Sequence, residues 1–146
     1  MTKRTIRRWS IGAVLAFLVI NLLWYGVTTW QYRPFLKAVP EHVTGVHAMT
    51  EKGISYNVKT PDYLSTVGNL AISNDKTGVW LIVWPNLIGK DEYGIRVQEE
   101  QTGYEIIVDR EMQLLEPDKT LQAVLDRHQA DVKRLKQAAH ERFSLD

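Results

Sequence analysis

Acid–base and metal chemistry most often begin with histidines and carboxylates, and this chain has four histidines, at positions 42, 47, 128 and 140. His42 and His47 are five residues apart in a segment that reads as connector or strand, and an odd spacing puts them on opposite sides of an extended chain. His128 falls on the apolar stripe of a helical pattern, which predicts a buried, hydrogen-bonded imidazole. His140 lies twelve residues further on, about 18 Å along a helix axis. No pair has the H-x-x-x-H type of spacing that places two imidazoles on one metal. The carboxylates pair up as Asp91-Glu92, Glu99-Glu100, Asp109 with Glu111, and Glu116 with Asp118, each in or beside a predicted turn where solvated acids are usual. A glycosidase-type acid pair needs two carboxylates facing across a cleft, and the chain has no insertion that would build one. Ser55, Ser65 and Ser73 lack a G-x-S-x-G setting. Gly89-Lys90 runs into Asp91 and is not a phosphate loop. There is no cysteine, so disulfides, thiolate metal sites, a cysteine nucleophile and a lipid-modified cysteine anchor are all ruled out. No cofactor or metal is expected.

The elements that would have to position such groups begin at the membrane. Residues 9–32, WSIGAVLAFLVINLLWYGVTTWQY, contain no charged side chain, and a bilayer-spanning helix needs about twenty apolar residues. Trp9 marks one end, and Trp24, Tyr25, Trp30 and Tyr32 mark the other, as interfacial aromatic belts do. The apolar run exceeds the ~7–15 residues of a cleaved signal peptide, and no A-x-A-like site follows it. The expectation is an uncleaved signal-anchor. Lys3, Arg4, Arg7 and Arg8 give residues 1–8 a charge of +4 against +1 for the whole chain, which leaves −3 for the rest. That bias predicts a cytoplasmic N-terminal arm (1–8) and a domain outside the cell membrane. The basic arm is a topology signal, and the absence of a basic face elsewhere excludes a nucleic-acid partner. Within the span, Gly12 and Ala16 form a small-xxx-small pair and Asn21 adds a polar group. Together they are the candidate contact with a second transmembrane helix, although a lone asparagine and small residues are also ordinary there.

Arg33-Pro34 is expected to end or kink the helix, and 33–45 reads as a connector. Residues 46–146 form the extracytoplasmic domain. Within it, 46–115 reads mainly as strands: 54–59, a long extended stretch at 63–73 with Gly68 as a bulge, 79–84, 93–98 and 104–109. Short turns such as SNDKTG (73–78) imply an antiparallel meander. Residues 118–143 read as one helix, with Pro117 suited to its first position. Leu121, Val124, Leu125, His128, Val132, Leu135, Ala139 and Phe143 share one stripe about 100° wide. Positions 121, 125, 128, 132, 135 and 139 also follow a heptad seam. Packing across the meander is the expected use of that seam, and a two-helix association is the alternative. The predicted fold class is α+β: a single transmembrane helix, then a meander of about four or five strands packed on one long C-terminal helix.

Segment 79–84, VWLIVW, is apolar on both faces. Val79, Leu81 and Val83 point one way and Trp80, Ile82 and Trp84 the other. Its neighbours are apolar mainly on one face, so one side of this strand becomes an apolar strip in a polar field. All six residues are the candidate partner contact, unless 35–45, 63–73 or 86–88 folds over the strip. The expected function is therefore a non-enzymatic, single-pass envelope protein that binds a membrane or envelope protein. A small tethered hydrolase using dispersed acids with His42 or His47, and a homo-oligomer built on the heptad seam and Gly12, Ala16 and Asn21, are the alternatives.

Overall fold

The computed structural model describes residues 3–145, with side chains from residue 7 onward. Of the four basic residues of the topology signal, the side chains of Lys3 and Arg4 lie outside that description, while Arg7 and Arg8 are exposed.

Helix α1 (Lys3–Ala38) is unbroken through Pro34, which corrects the expected end at 33–34 and places the first part of the connector in the helix. Proline removes one intrahelical hydrogen bond, and the residues on either side of Pro34 are held by tertiary contacts. Tyr32 and Val39 are fully buried in the domain core. Phe35 meets Tyr32 and Phe143 edge-on, at 5.8 and 5.9 Å between ring centroids.

Seven antiparallel strands follow in a single sheet, each paired with its neighbours in chain order. They are β1 (Glu41–Val43), β2 (Val46–Glu51), β3 (Ile54–Lys59), β4 (Asn69–Asn74), β5 (Val79–Trp84), β6 (Glu92–Glu99) and β7 (Thr102–Val108). The meander topology is as expected, but with seven strands rather than four or five. The additional hairpin is β1–β2, whose sequence has little alternation because neither strand buries a clean face. Lys52 and Gly53, both at positive φ, make the two-residue turn into β3, the geometry that matches strand twist. The stretch expected as one long strand at 63–73 is strand only from Asn69. Residues 60–68 leave the sheet and run along α1. Gly68 stands at that exit: an added Cβ would lie 2.1 Å from the Lys59 carbonyl oxygen, and the Gly68 N–H donates to Tyr32 Oη at 2.6 Å.

The C-terminal segment is two helices rather than one, α2 (Lys119–Arg127) and α3 (Gln129–Phe143), broken at His128. Asp118, not Pro117, sets the start of α2. Its Oδ1 accepts from the Thr120 and Leu121 N–H groups at 2.8 and 2.9 Å, an N-cap that satisfies two orphan donors. Pro117 therefore sits just outside the helix. Leu125, Val132, Leu135 and Ala139 are buried, with Leu121 and His128 half-buried, and α3 packs on β4 and β5. The heptad seam is thus consumed inside the protein, so the alternative of a two-helix association through it is corrected.

Candidate functional site

Strand β5 decides which side of the sheet is core. Val79, Leu81 and Val83 are 0, 1 and 0 % exposed and lie under the helices. Three of the six candidate contact residues are therefore core residues and cannot meet a partner. Trp80, Ile82 and Trp84 point to the opposite face and are half-buried by their neighbours in the sheet.

The register defines that outer face in two rows. In one, Ile82 stands between Ala71 and Gly94, with Asn57 and Ile107 beyond them. In the other, Trp80 stands between Ser73 and Arg96, flanked by Ser55 and Glu105. The polar side chains are organised. Asp75 accepts from the Ser55 and Ser73 hydroxyls, both at 3.1 Å, and Ser55 also contacts the Thr50 hydroxyl at 3.0 Å. Arg96 pairs with Glu105 on the other flank. Trp80 stands between this hydroxyl–carboxylate cluster and the ion pair, and with Thr50, Ser55 and Ser73 it lines a shallow concavity of about 640 Å³ that includes His42.

Trp84 lies over Gly94. A Cβ at position 94 would come within 2.9 Å of two ring carbons of Trp84, so this glycine is what lets the indole lie against the sheet. Its only sequence signal is a glycine inside an otherwise alternating strand, which marks close approach by another group. Of the three segments that were alternative covers for the strip, 35–45 places His42 of β1, and 63–73 places Ala71 and Ser73 of β4, in the lining of the concavity beside Trp80. Phe35 and Val39 pack into the core on the helix side, residues 60–68 follow α1, and 86–88 stay at the end of the sheet beyond Pro85. The main helix contacts of β4 and β5 are with α3, on the inner face.

The residues with chemical potential are dispersed. His47 Nδ1 is 3.0 Å from the Val39 carbonyl oxygen, His140 Nδ1 is 2.8 Å from that of Leu145, and His42 is exposed on β1. Several carboxylates hold turns: Asp91 Oδ1 accepts from the Asn86 N–H at 3.0 Å, and Asp109 Oδ1 from the Gln113 N–H at 2.8 Å. One histidine–carboxylate pair does come together. His128 Nε2 is 2.9 Å from Glu99 Oε1, and Arg127 donates to both oxygens of the same carboxylate at 3.1 and 2.8 Å. These hydrogen bonds, first from Arg127 and then from His128, hold the Glu99 carboxyl below its ordinary pKa. Glu99 thereby ties the end of β6 to the α2–α3 junction. Among the described residues, no group of three or more histidines and acids could hold a metal ion.

Along α1, Gly12 and Ala16 share an exposed face with Trp9 and Ala13, forming a shallow groove. Asn21 does not belong to it. Nine residues at about 100° each place it half a turn away from Gly12, which corrects the three-residue contact face. Its amide is occupied within the chain: Nδ2 donates to the Phe17 carbonyl at 2.7 Å and Oδ1 accepts from the Tyr63 hydroxyl. α1 is long and apolar enough to cross a membrane. Comparison of the chain with protein-family models, with curated proteins and with solved structures gives no match.

Proposed function

We propose that the protein is a non-enzymatic, single-span membrane-anchored envelope protein, with its N-terminus in the cytoplasm, whose outer sheet face binds another membrane or envelope protein. The observation that carries this reading is the outer face itself: Trp80, Ile82 and Trp84 stand partly exposed on the side of β5 opposite α3. An aromatic and aliphatic centre with a polar surround has the composition of protein–protein contacts, where tryptophan anchors are enriched. The surround here is the Asp75–Ser55–Ser73 cluster on one flank and Arg96–Glu105 on the other. The hydrolase alternative, built on His42 or His47, draws less support, because His47 Nδ1 lies 3.0 Å from the Val39 carbonyl oxygen and the carboxylate of Glu99 meets His128 instead.

The test is site-specific photocrosslinking of the full-length protein in its native membrane. A photoreactive residue at position 82 is expected to give a discrete adduct that Trp80→Ala diminishes. The same residue at Lys133, exposed on α3, is expected to give none. Identical adduct patterns from 82 and 133, or none from 82, would sink the reading.

A further inference from the structure

The two ends of the sheet differ more sharply than its two faces. Outside α1, the exposed large apolar side chains among the described residues, Ile107 on the outer face apart, lie at the end from which α1 departs, Val43 and Val46 of the β1–β2 hairpin among them. Tyr63, Leu64 and Val67 occupy the β3–β4 loop, Leu87 and Ile88 the β5–β6 loop, and Leu115 the segment after β7. Ile88 is 89 % exposed and Leu64 59 %. The turns at the far end carry Lys52, Asp75, Lys76 and Glu100 instead, and none of these four is buried.

The apolar loops are tied to α1. Gln31 Nε2 donates to the Pro85 carbonyl at 3.0 Å. Loop 60–68 climbs the helix: Gly68 is held at Tyr32, the Ser65 carbonyl accepts from Trp24 Nε1, and Tyr63 packs edge-on against Trp24 and donates to Asn21. Tyr32 to Asn21 is eleven residues, about 16 Å along the axis. With Trp9 at the opposite interface, ~30 Å of hydrocarbon ends near residue 29, so Asn21 and the Tyr63 tip fall about 12 Å inside it. The loop is built for that depth. Residues 63–68 carry no charge, and the Ser65 carbonyl and the Tyr63 hydroxyl are satisfied by α1 side chains. Irregular backbone at membrane depth is tolerated only where protein supplies such partners. The polar groups of the apolar span at 21 and 24 thus acquire a use.

We propose that this end of the sheet is seated in the lipid bilayer, with the uncharged loop tips 63–68 and 86–89 inserted into the leaflet nearest the domain. The proposal rests on α1 being a membrane anchor. It also sets the orientation of the outer face: β5 runs from Val79, far from the lipid, to Trp84, close to it. The outer face therefore looks sideways along the membrane, toward a partner held in the same bilayer.

The chain has no cysteine, so single cysteines can be introduced into the full-length protein at Leu18, Leu64, Ile88 and Lys76. Each is labelled with an environment-sensitive fluorophore and reconstituted into phosphatidylcholine vesicles containing doxyl-labelled lipid. The expected result is blue-shifted emission and lipid quenching at 64 and 88 approaching that at 18, with an aqueous, unquenched label at 76. Aqueous labels at both 64 and 88 while 18 is in lipid would overturn the seating and leave the anchor intact. An aqueous label at 18 would overturn both. Burial of only one loop would overturn the two-loop seat. Circular dichroism matching the unlabelled chain checks that each variant is folded.

Discussion

The two faces of β5 are equally apolar in residue type and opposite in role. On the inner face, Leu81 stands between Ile72 and Ile95, and Val83 between Leu70 and Tyr93. Every one of these neighbours is buried. On the outer face, Ile82 stands between an alanine and a glycine, and Trp80 between a serine and an arginine. Burial is thus a property of a row across the sheet rather than of a strand. An apolar side chain seals a core only when the residues opposite it on both neighbouring strands, and a helix arriving from far along the chain, present apolar surface to the same side.

Substitutions on the two faces should therefore separate. The largest effect is expected for Leu81→Ala, which opens a cavity under α3 and should cost about 2–5 kcal/mol, read as a lowered denaturation midpoint of the full chain in detergent. The full chain is required because Tyr32 and Val39 of the α1 region are core residues. Next is Gly94→Val, which forces the Trp84 ring off the sheet and should cost about 1–3 kcal/mol as an overpacking change. A change in tryptophan emission should accompany it, and an unaltered spectrum would show that Trp84 does not rest on Gly94. The most direct contrast applies one residue type to both faces. Val83→Thr buries a hydroxyl and should cost about 1–3 kcal/mol. Ile82→Thr keeps a β-branched strand residue on the outer face and should cost under about 1 kcal/mol. Equal costs would mean that the outer face is covered. The smallest effect is expected for Glu99→Gln, which loosens the tie that holds the helix layer on the inner face. The Glu99 pKa is lower in the folded chain than unfolded, so it stabilises the fold above the ordinary glutamate range and loses that contribution as pH falls through the folded value. The variant should be less stable at neutral pH and show a flatter acid limb in pH-dependent melting.

Much of this architecture was legible locally. The charge-free run at 9–32 declared a helix long enough to span, period-two alternation declared β3, β6 and β7, a short continuous apolar run declared β5, and the stripe from Leu121 to Phe143 declared a helix packed on a sheet. The misses share a cause. Helix α1 passes Pro34 where Tyr32, Phe35 and Val39 find partners in the domain. The C-terminal helix breaks at His128, where the Arg127 and His128 side chains converge on Glu99, 28 and 29 residues back in the chain. Residues 63–68 look extended in sequence but belong to α1, because Tyr63, Ser65 and Gly68 each have a hydrogen-bonding partner on that helix. Half of the candidate contact was misassigned for the same reason: VWLIVW gives no local preference between its faces.

Sequence by itself determined whatever depends on periodicity, charge and hydrophobic length. Those properties belong to consecutive residues and act through local geometry, so they declare a long apolar helix, a meander and an amphipathic helix without reference to one another. Side, seat and exposure required the folded chain. The helices could cover only one face of β5, and the polar rows beside Trp80 and Ile82 made the other face the partly exposed one. Loop 60–68 came to lie along the apolar helix because Asn21, Trp24 and Tyr32 of α1 meet it from 36 to 42 residues away in the chain. Such choices are made by complementarity between distant segments, and no window of neighbouring residues contains them.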